Sequence, residues 1–91
     1  MRKVVMYSTQ VCPYCQMAVR LLQSYGVEHI EKVLIDLDPK SRIEMIKRTG
    51  RCTVPQIFIG QTYVGGYADL SVRARTGELR PLLEAVCTPP S

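Results

Sequence analysis

The stretch Cys12-Pro13-Tyr14-Cys15 carries residue types and a spacing that can do chemistry. Two thiols separated by two residues close a small disulfide when the backbone turns between them. The first turn of a helix makes that bend, and Pro13 suits it, because its φ is already helical and its missing N–H would go unbonded there anyway. Cys12 then stands at or just before the helix N-terminus, where free N–H groups and the helix dipole favour an anion. Such a setting lowers a thiol's pKa, and the thiolate is the species that attacks disulfides. Cys15 falls one turn further on, better shielded and suited to be the resolving thiol. Next to a strand–helix–strand pattern in a cytosolic protein this spacing is a redox motif. The competing reading is half of a structural zinc site, which needs a second ligand pair at similar spacing. Cys52 and Cys87 stand alone and His29 is the single histidine, so no metal is expected.

The elements that must position these thiols follow from periodicity. Lys3 to Tyr7 is β-branched and aromatic enough for a buried strand. Ser8 to Val11 form a short loop, and a helix runs from Pro13 to about Tyr25. Ala18, Leu21, Leu22 and Tyr25 make its apolar stripe, and Gly26 is its expected stop. A second strand is expected at about Lys32 to Leu37, with Val33-Leu34-Ile35 buried on both faces as in parallel pairing. Asp38 and Pro39 open another helix as N-cap and first-turn proline. Ile43 and Ile46 are its expected apolar edge, Glu44 and Arg48 an i, i+4 pair, and Gly50 its end. The period then changes to two: Gln56–Ile59 and Thr62–Gly65 flank Gly60-Gln61, the signature of a type II′ hairpin. A helix from about Tyr67 to Thr76 and a short last one near Arg80-Pro81 return Leu82, Leu83 and Val86 to the core, and Thr88 to Ser91 should fray.

Composition narrows the function classes. The 91 residues make one domain, 1–91, with 46% apolar and 22% charged residues. After Met1-Arg2-Lys3 the apolar run is too short for a secretory signal, and no segment is long enough to span a membrane. The expected compartment is the reducing cytoplasm, where a close dithiol is catalytic rather than structural. The net charge is +4, but the basic residues are scattered without interleaved aromatics, which argues against nucleic acid and for a small anionic ligand.

Cys12-Pro-Tyr-Cys15, Thr53-Val-Pro55 and Gly65-Gly66-Tyr67-Ala68-Asp69, in this order and with this element pattern between them, resemble the glutaredoxins, most closely the small bacterial dithiol kind. The resemblance covers nearly the whole chain. It implies an α/β thioredoxin-like fold whose four-stranded mixed sheet has order 2-1-3-4 and is flanked by helices. It further implies glutathione-dependent reduction of glutathione mixed disulfides and protein disulfides by a cytoplasmic monomer. Glutathione would be the co-substrate, and glutathionylated or disulfide-containing proteins the partners. Cys12 would be the nucleophile and Cys15 the resolving thiol. Pro55 would be a cis proline that exposes the backbone of Val54 to the cysteinyl part of glutathione, paired like an added strand. Thr53 would shape that edge and Tyr14 would flank the sulfur. Asp69 would hold the γ-glutamyl ammonium, while N–H groups at Gly66 and Ala68 meet its carboxylate. Arg51 would take the glycyl carboxylate.

Most of these residues also have a plain structural reading. Pro55 would be an ordinary trans proline at a strand start, Asp69 a helix cap, Arg51 a solvated charge, and Met17 and Met45 packing. Thr9 stands where many relatives carry a lysine, so stabilisation of the thiolate and of the glycyl carboxylate is expected to be weaker or to rest on Arg51. Cys52 is expected to alternate away from the site as a passive small apolar residue, and Cys87 to be inert. The alternative function of a different class is a [2Fe–2S] carrier ligated by Cys12 and glutathione, which Pro13 disfavours. A thioredoxin-like reductase with another donor lacks its usual aromatic-Cys-Gly-Pro-Cys pattern here.

Overall fold

The first strand alternates its side chains between two faces, and both faces are covered. In the computed structural model, which describes residues 3–84, Val4 and Met6 point to one side and Tyr7 to the other, all buried. The elements run β1 (Val4–Ser8), α1 (Pro13–Ser24), β2 (Ile30–Leu34), α2 (Pro39–Thr49), β3 (Gln56–Ile59), β4 (Thr62–Gly65), α3 (Tyr67–Thr76) and α4 (Leu79–Glu84). The sheet order is β2-β1-β3-β4. β2 lies parallel to β1, and β3 lies antiparallel to both β1 and β4. This is the mixed 2-1-3-4 sheet that the resemblance implies. The expected burial of Val86, the inertness of Cys87 and the fraying of 88–91 lie outside the described residues.

The larger core forms where β1 and β3 meet α1, α3 and α4. Ala18, Leu22, Ile57, Ile59, Leu70, Leu79 and Leu83 close there around Val4 and Met6, each at most 1% exposed. Fully burying one such leucine stabilises by about 2 kcal/mol. The smaller core, Tyr7, Ile35, Met45 and Phe58, lies on the opposite face beneath α2.

Three expectations are corrected. β2 is the edge strand, and its ladder with β1 ends at Ser8↔Leu34. The strand therefore begins at Ile30 and ends before Ile35, and of the run expected to be buried on both faces Val33 and Leu34 are only half-buried while Ile35, past the strand's end, is buried. On α2 the buried position is Met45, whereas Ile43 and Ile46 are 54% and 39% exposed. The small cluster offers this helix one socket, bounded by Tyr7 and Phe58, and the flexible thioether fills it. Glu44 and Arg48 meet through a third residue: Tyr7 Oη donates to Glu44 Oε1 at 2.6 Å and accepts from Arg48 Nη1 at 2.9 Å. The Arg48 guanidinium also lies 4.0 Å from the Phe58 ring centre. Burial, with the hydrogen bond to Glu44 next, raises the Tyr7 pKa above its ordinary value, against the opposing effect of Arg48.

The local signals hold. Asp38 caps α2 by accepting from the Lys40 N–H at 3.1 Å and from Ser41 Oγ at 2.8 Å. Gly60 has φ +62° and Gln61 has a negative φ, as a hairpin turn with glycine first requires. Phe58 pairs with Tyr63 but Ile57 with Gly65, so Val64 is one residue extra. That bulge turns the end of β4 toward the start of α3.

Candidate active site

Cys12 is the N-cap of α1, with extended backbone, φ −151° and ψ 99°. Its Sγ accepts the Cys15 N–H at 3.2 Å, the bond by which a cap satisfies a free donor of the first turn. Pro13 follows in the first turn, which holds no acidic residue to oppose an anion. The two sulfurs are joined as a disulfide, with Cα atoms 5.2 Å apart. Cys12 is 8% and Cys15 3% exposed, so Cys15 is the more shielded of the two.

α1 packs on α3, and this brings two helix starts together. The Tyr14 ring centre lies 6.2 Å from that of Tyr67, the first residue of α3, and Tyr14 itself is 61% exposed. At the start of α3, Asp69 Oδ2 accepts the Gly66 N–H at 3.0 Å. Gly65 has φ +115°, and a Cβ there would overlap the Asp69 carboxylate. A Cβ on Gly66 would lie 3.3 Å from the Pro55 carbonyl. The two glycines thus let the chain bring Asp69 and the Pro55 backbone close together.

The Val54–Pro55 peptide is cis. Thr53 is exposed, Val54 half-buried against both cores and Pro55 buried. Gln56, 1% exposed, donates through Nε2 to the Thr53 carbonyl at 3.0 Å and to its hydroxyl at 3.3 Å, and accepts from Tyr63 Oη. Sequence reasoning passed over this buried amide, which holds the turn before Pro55. Its signal was a polar residue opening the otherwise apolar run Gln56-Ile-Phe-Ile59.

Arg51 reaches the same corner. Its Nη1 lies 3.2 Å from Asp69 Oδ2, with the two side chains 51% and 45% exposed. An ion pair so open to water contributes about 1 kcal/mol or less. Cys52 beside it is a free, exposed thiol. Thr9 Oγ1 bonds the Val11 carbonyl at 3.2 Å within its own loop. Cys12, Cys15, Tyr14, Arg51, Thr53, Val54, Pro55, Gly66, Ala68 and Asp69 thus belong to three chain segments that converge at the starts of α1 and α3. Among the described residues no group of three or more His, Cys, Asp or Glu side chains gathers into a metal-binding cluster. No helix among them is long and apolar enough to cross a membrane.

Comparison with known proteins agrees with this geometry. Residues 4–64 match the family model described as Glutaredoxin. The chain is 47% identical to a glutaredoxin of Neisseria meningitidis serogroup A over 91% of its own length and 98% of the relative's. It is 46% identical to glutaredoxin 3 of Escherichia coli K12, over 92% and 100%. Among solved structures, a glutaredoxin from Brucella melitensis superposes with a TM-score of 0.80 at 40% identity, covering 92% of this chain and 90% of that one. A buckwheat glutaredoxin–glutathione complex superposes with a TM-score of 0.84 at 26% identity, covering 92% and 78%.

Proposed function

The chain belongs to the glutaredoxin family, whose chemistry is thiol–disulfide exchange, and from that premise we propose that it is a glutathione-dependent reductase of glutathione mixed disulfides and protein disulfides. The observation that carries the proposal is the Cys15 N–H aimed at Cys12 Sγ at the head of α1. Once the disulfide is reduced, that N–H and the first-turn dipole favour the Cys12 thiolate. The thiolate attacks the glutathionyl sulfur of a mixed disulfide. A Cys12–glutathione disulfide forms as the old S–S bond breaks, and the target leaves as a thiolate that takes up a proton. A second glutathione, as thiolate, attacks the glutathionyl sulfur, giving glutathione disulfide and returning Cys12. With a protein disulfide, Cys12 forms the mixed disulfide and the Cys15 thiolate displaces the target, leaving Cys12–Cys15 oxidised and the target reduced by two electrons.

The tripeptide's cysteinyl backbone would pair with Val54, exposed by the cis peptide and held by Thr53 and Gln56. Its γ-glutamyl ammonium would replace Arg51 on Asp69, one cation for another, with the carboxylate on N–H groups of the Gly66–Ala68 turn. The displaced guanidinium is then free for the glycyl carboxylate. The weak, exposed Arg51–Asp69 pair makes this exchange inexpensive. The buckwheat relative with glutathione bound supports this ligand. The same proposal takes the chain as a single domain acting as a cytoplasmic monomer. No observation favours the [2Fe–2S] carrier over exchange.

A glutathionylated peptide incubated with this protein and glutathione as the sole reductant should release peptide thiol and glutathione disulfide one for one. Release no faster than with glutathione alone would defeat the proposal.

A further inference from the structure

α1 has two flanks. One leans on α3, where Tyr14 meets Tyr67 and where the glutathione residues gather. The other faces edge strand β2 across a groove of about 600 Å³. Cys12 and Cys15 form part of the wall of this groove. Further along, Arg20 projects from the helix wall and Lys32 from the strand wall, with Gln16 and Gln23 beside them. No carboxylate lines it. Among the described residues neither Arg20 nor Lys32 has an acidic partner, although Lys3, Arg51 and Arg80 each have one. The nearby Asp36 is engaged by Gln10, through the backbone N–H at 3.1 Å and the side-chain amide at 3.4 Å. Val54, Pro55, Gly66 and Asp69 take no part in the groove.

A glutathione mixed disulfide has two halves that leave the sulfur in different directions. With the glutathionyl half on the α3 flank, the protein half must leave elsewhere, and this groove is open, cationic and continuous with the sulfurs. We propose that the α1–β2 groove receives an acidic segment of the substrate protein, and that Arg20 and Lys32 select substrates carrying carboxylates near the target cysteine. The inference deepens the reading of Cys12 as nucleophile and rests on it. Eight residues of helix separate Cys12 from Arg20, about 12 Å. An extended peptide covers that in three or four residues at about 3.3 Å each. The preferred carboxylates therefore lie three or four residues from the target cysteine.

The test uses three glutathionylated peptides that differ only at those two positions, bearing Asp, Asn or Lys. Wild type should reduce the Asp peptide with a kcat/KM about tenfold above the Lys peptide at low salt, the gap narrowing as salt rises. The double variant Arg20→Glu with Lys32→Glu should abolish or invert the order, and Arg20→Gln with Lys32→Gln should flatten it. Both should keep wild-type turnover of glutathionylated mercaptoethanol, which is too short to reach Arg20 or Lys32. Equal rates for the three peptides, or an order unchanged in the double variant, overturns the groove. Failure of every substrate, the small one included, overturns the nucleophile reading instead. The groove is then read by fluorescence anisotropy of a labelled Asp peptide with serine for cysteine. Binding that the double variant weakens about tenfold supports it, and no binding, or equal binding of the Lys peptide, overturns it.

Discussion

In the proposed mechanism a single backbone N–H separates the roles of the two cysteines. Cys12 caps the helix and accepts that bond, whereas Cys15, which supplies it, is buried inside the first turn. Cys12→Ser should abolish reduction of every disulfide. Cys15→Ser should keep reduction of glutathione mixed disulfides while losing reduction of protein disulfides, because only the latter needs an internal resolving thiol. Assays on one substrate of each kind check this, and equal loss on both would contradict the division. Gly65 shows how narrow the allowance is at the other helix start. Its φ of +115° and the Asp69 carboxylate in the place of any Cβ leave room for no other residue. Gly65→Ala should raise the KM for glutathione several-fold by displacing Asp69, and should cost roughly 1–3 kcal/mol of stability, read as a lowered Tm.

At the scale of elements, α2 is held to the sheet by Met45 and by the chain Arg48–Tyr7–Glu44. Tyr7→Phe removes the hydroxyl and leaves Glu44 without that donor, so it should cost about 1 kcal/mol. The raised Tyr7 pKa fixes the sign of a pH effect. The folded state disfavours tyrosinate, so the contribution is complete below the unfolded tyrosine pKa of about 10 and is lost as pH rises through the higher folded value. Denaturant midpoints should therefore fall less steeply above pH 10 in Tyr7→Phe than in wild type; identical slopes would show that Tyr7 is not the group responsible. The start of α3 depends on an element far from it in sequence, since the bulge at Val64 directs the chain from β4 to Asp69.

The whole molecule has two tasks, stability and chemistry, and they meet at Cys12 and Cys15, which also belong to the larger core. Two cores on opposite faces of one sheet hold it together, while the sulfurs, cis peptide and Asp69 lie where the first turns of α1 and α3 meet. Leu22, fully buried near the far end of α1, belongs to the first task only. Leu22→Ala should cost about 3 kcal/mol and lower the Tm, with kcat/KM on a small glutathione mixed disulfide kept near wild type at temperatures where the variant is folded. A parallel fall in activity would mean that core and site are coupled. How much of this was legible in advance follows from the range of each interaction. The Cys12–Cys15 turn, the Asp38 cap, the Gly60 hairpin and the stripe on α1 depend on residues within a few positions of one another, and the amino-acid order alone determined them. The sheet order and the cis bond at Pro55 were legible through the resemblance of three short motifs. The edge position of β2, the choice of Met45 over Ile43 and Ile46, the Gln56 support of Thr53, the Arg51–Asp69 pair and the cationic groove were decided only by the tertiary structure. Each joins a side chain to a surface built from other parts of the chain, and periodicity along one segment carries no record of what packs against it.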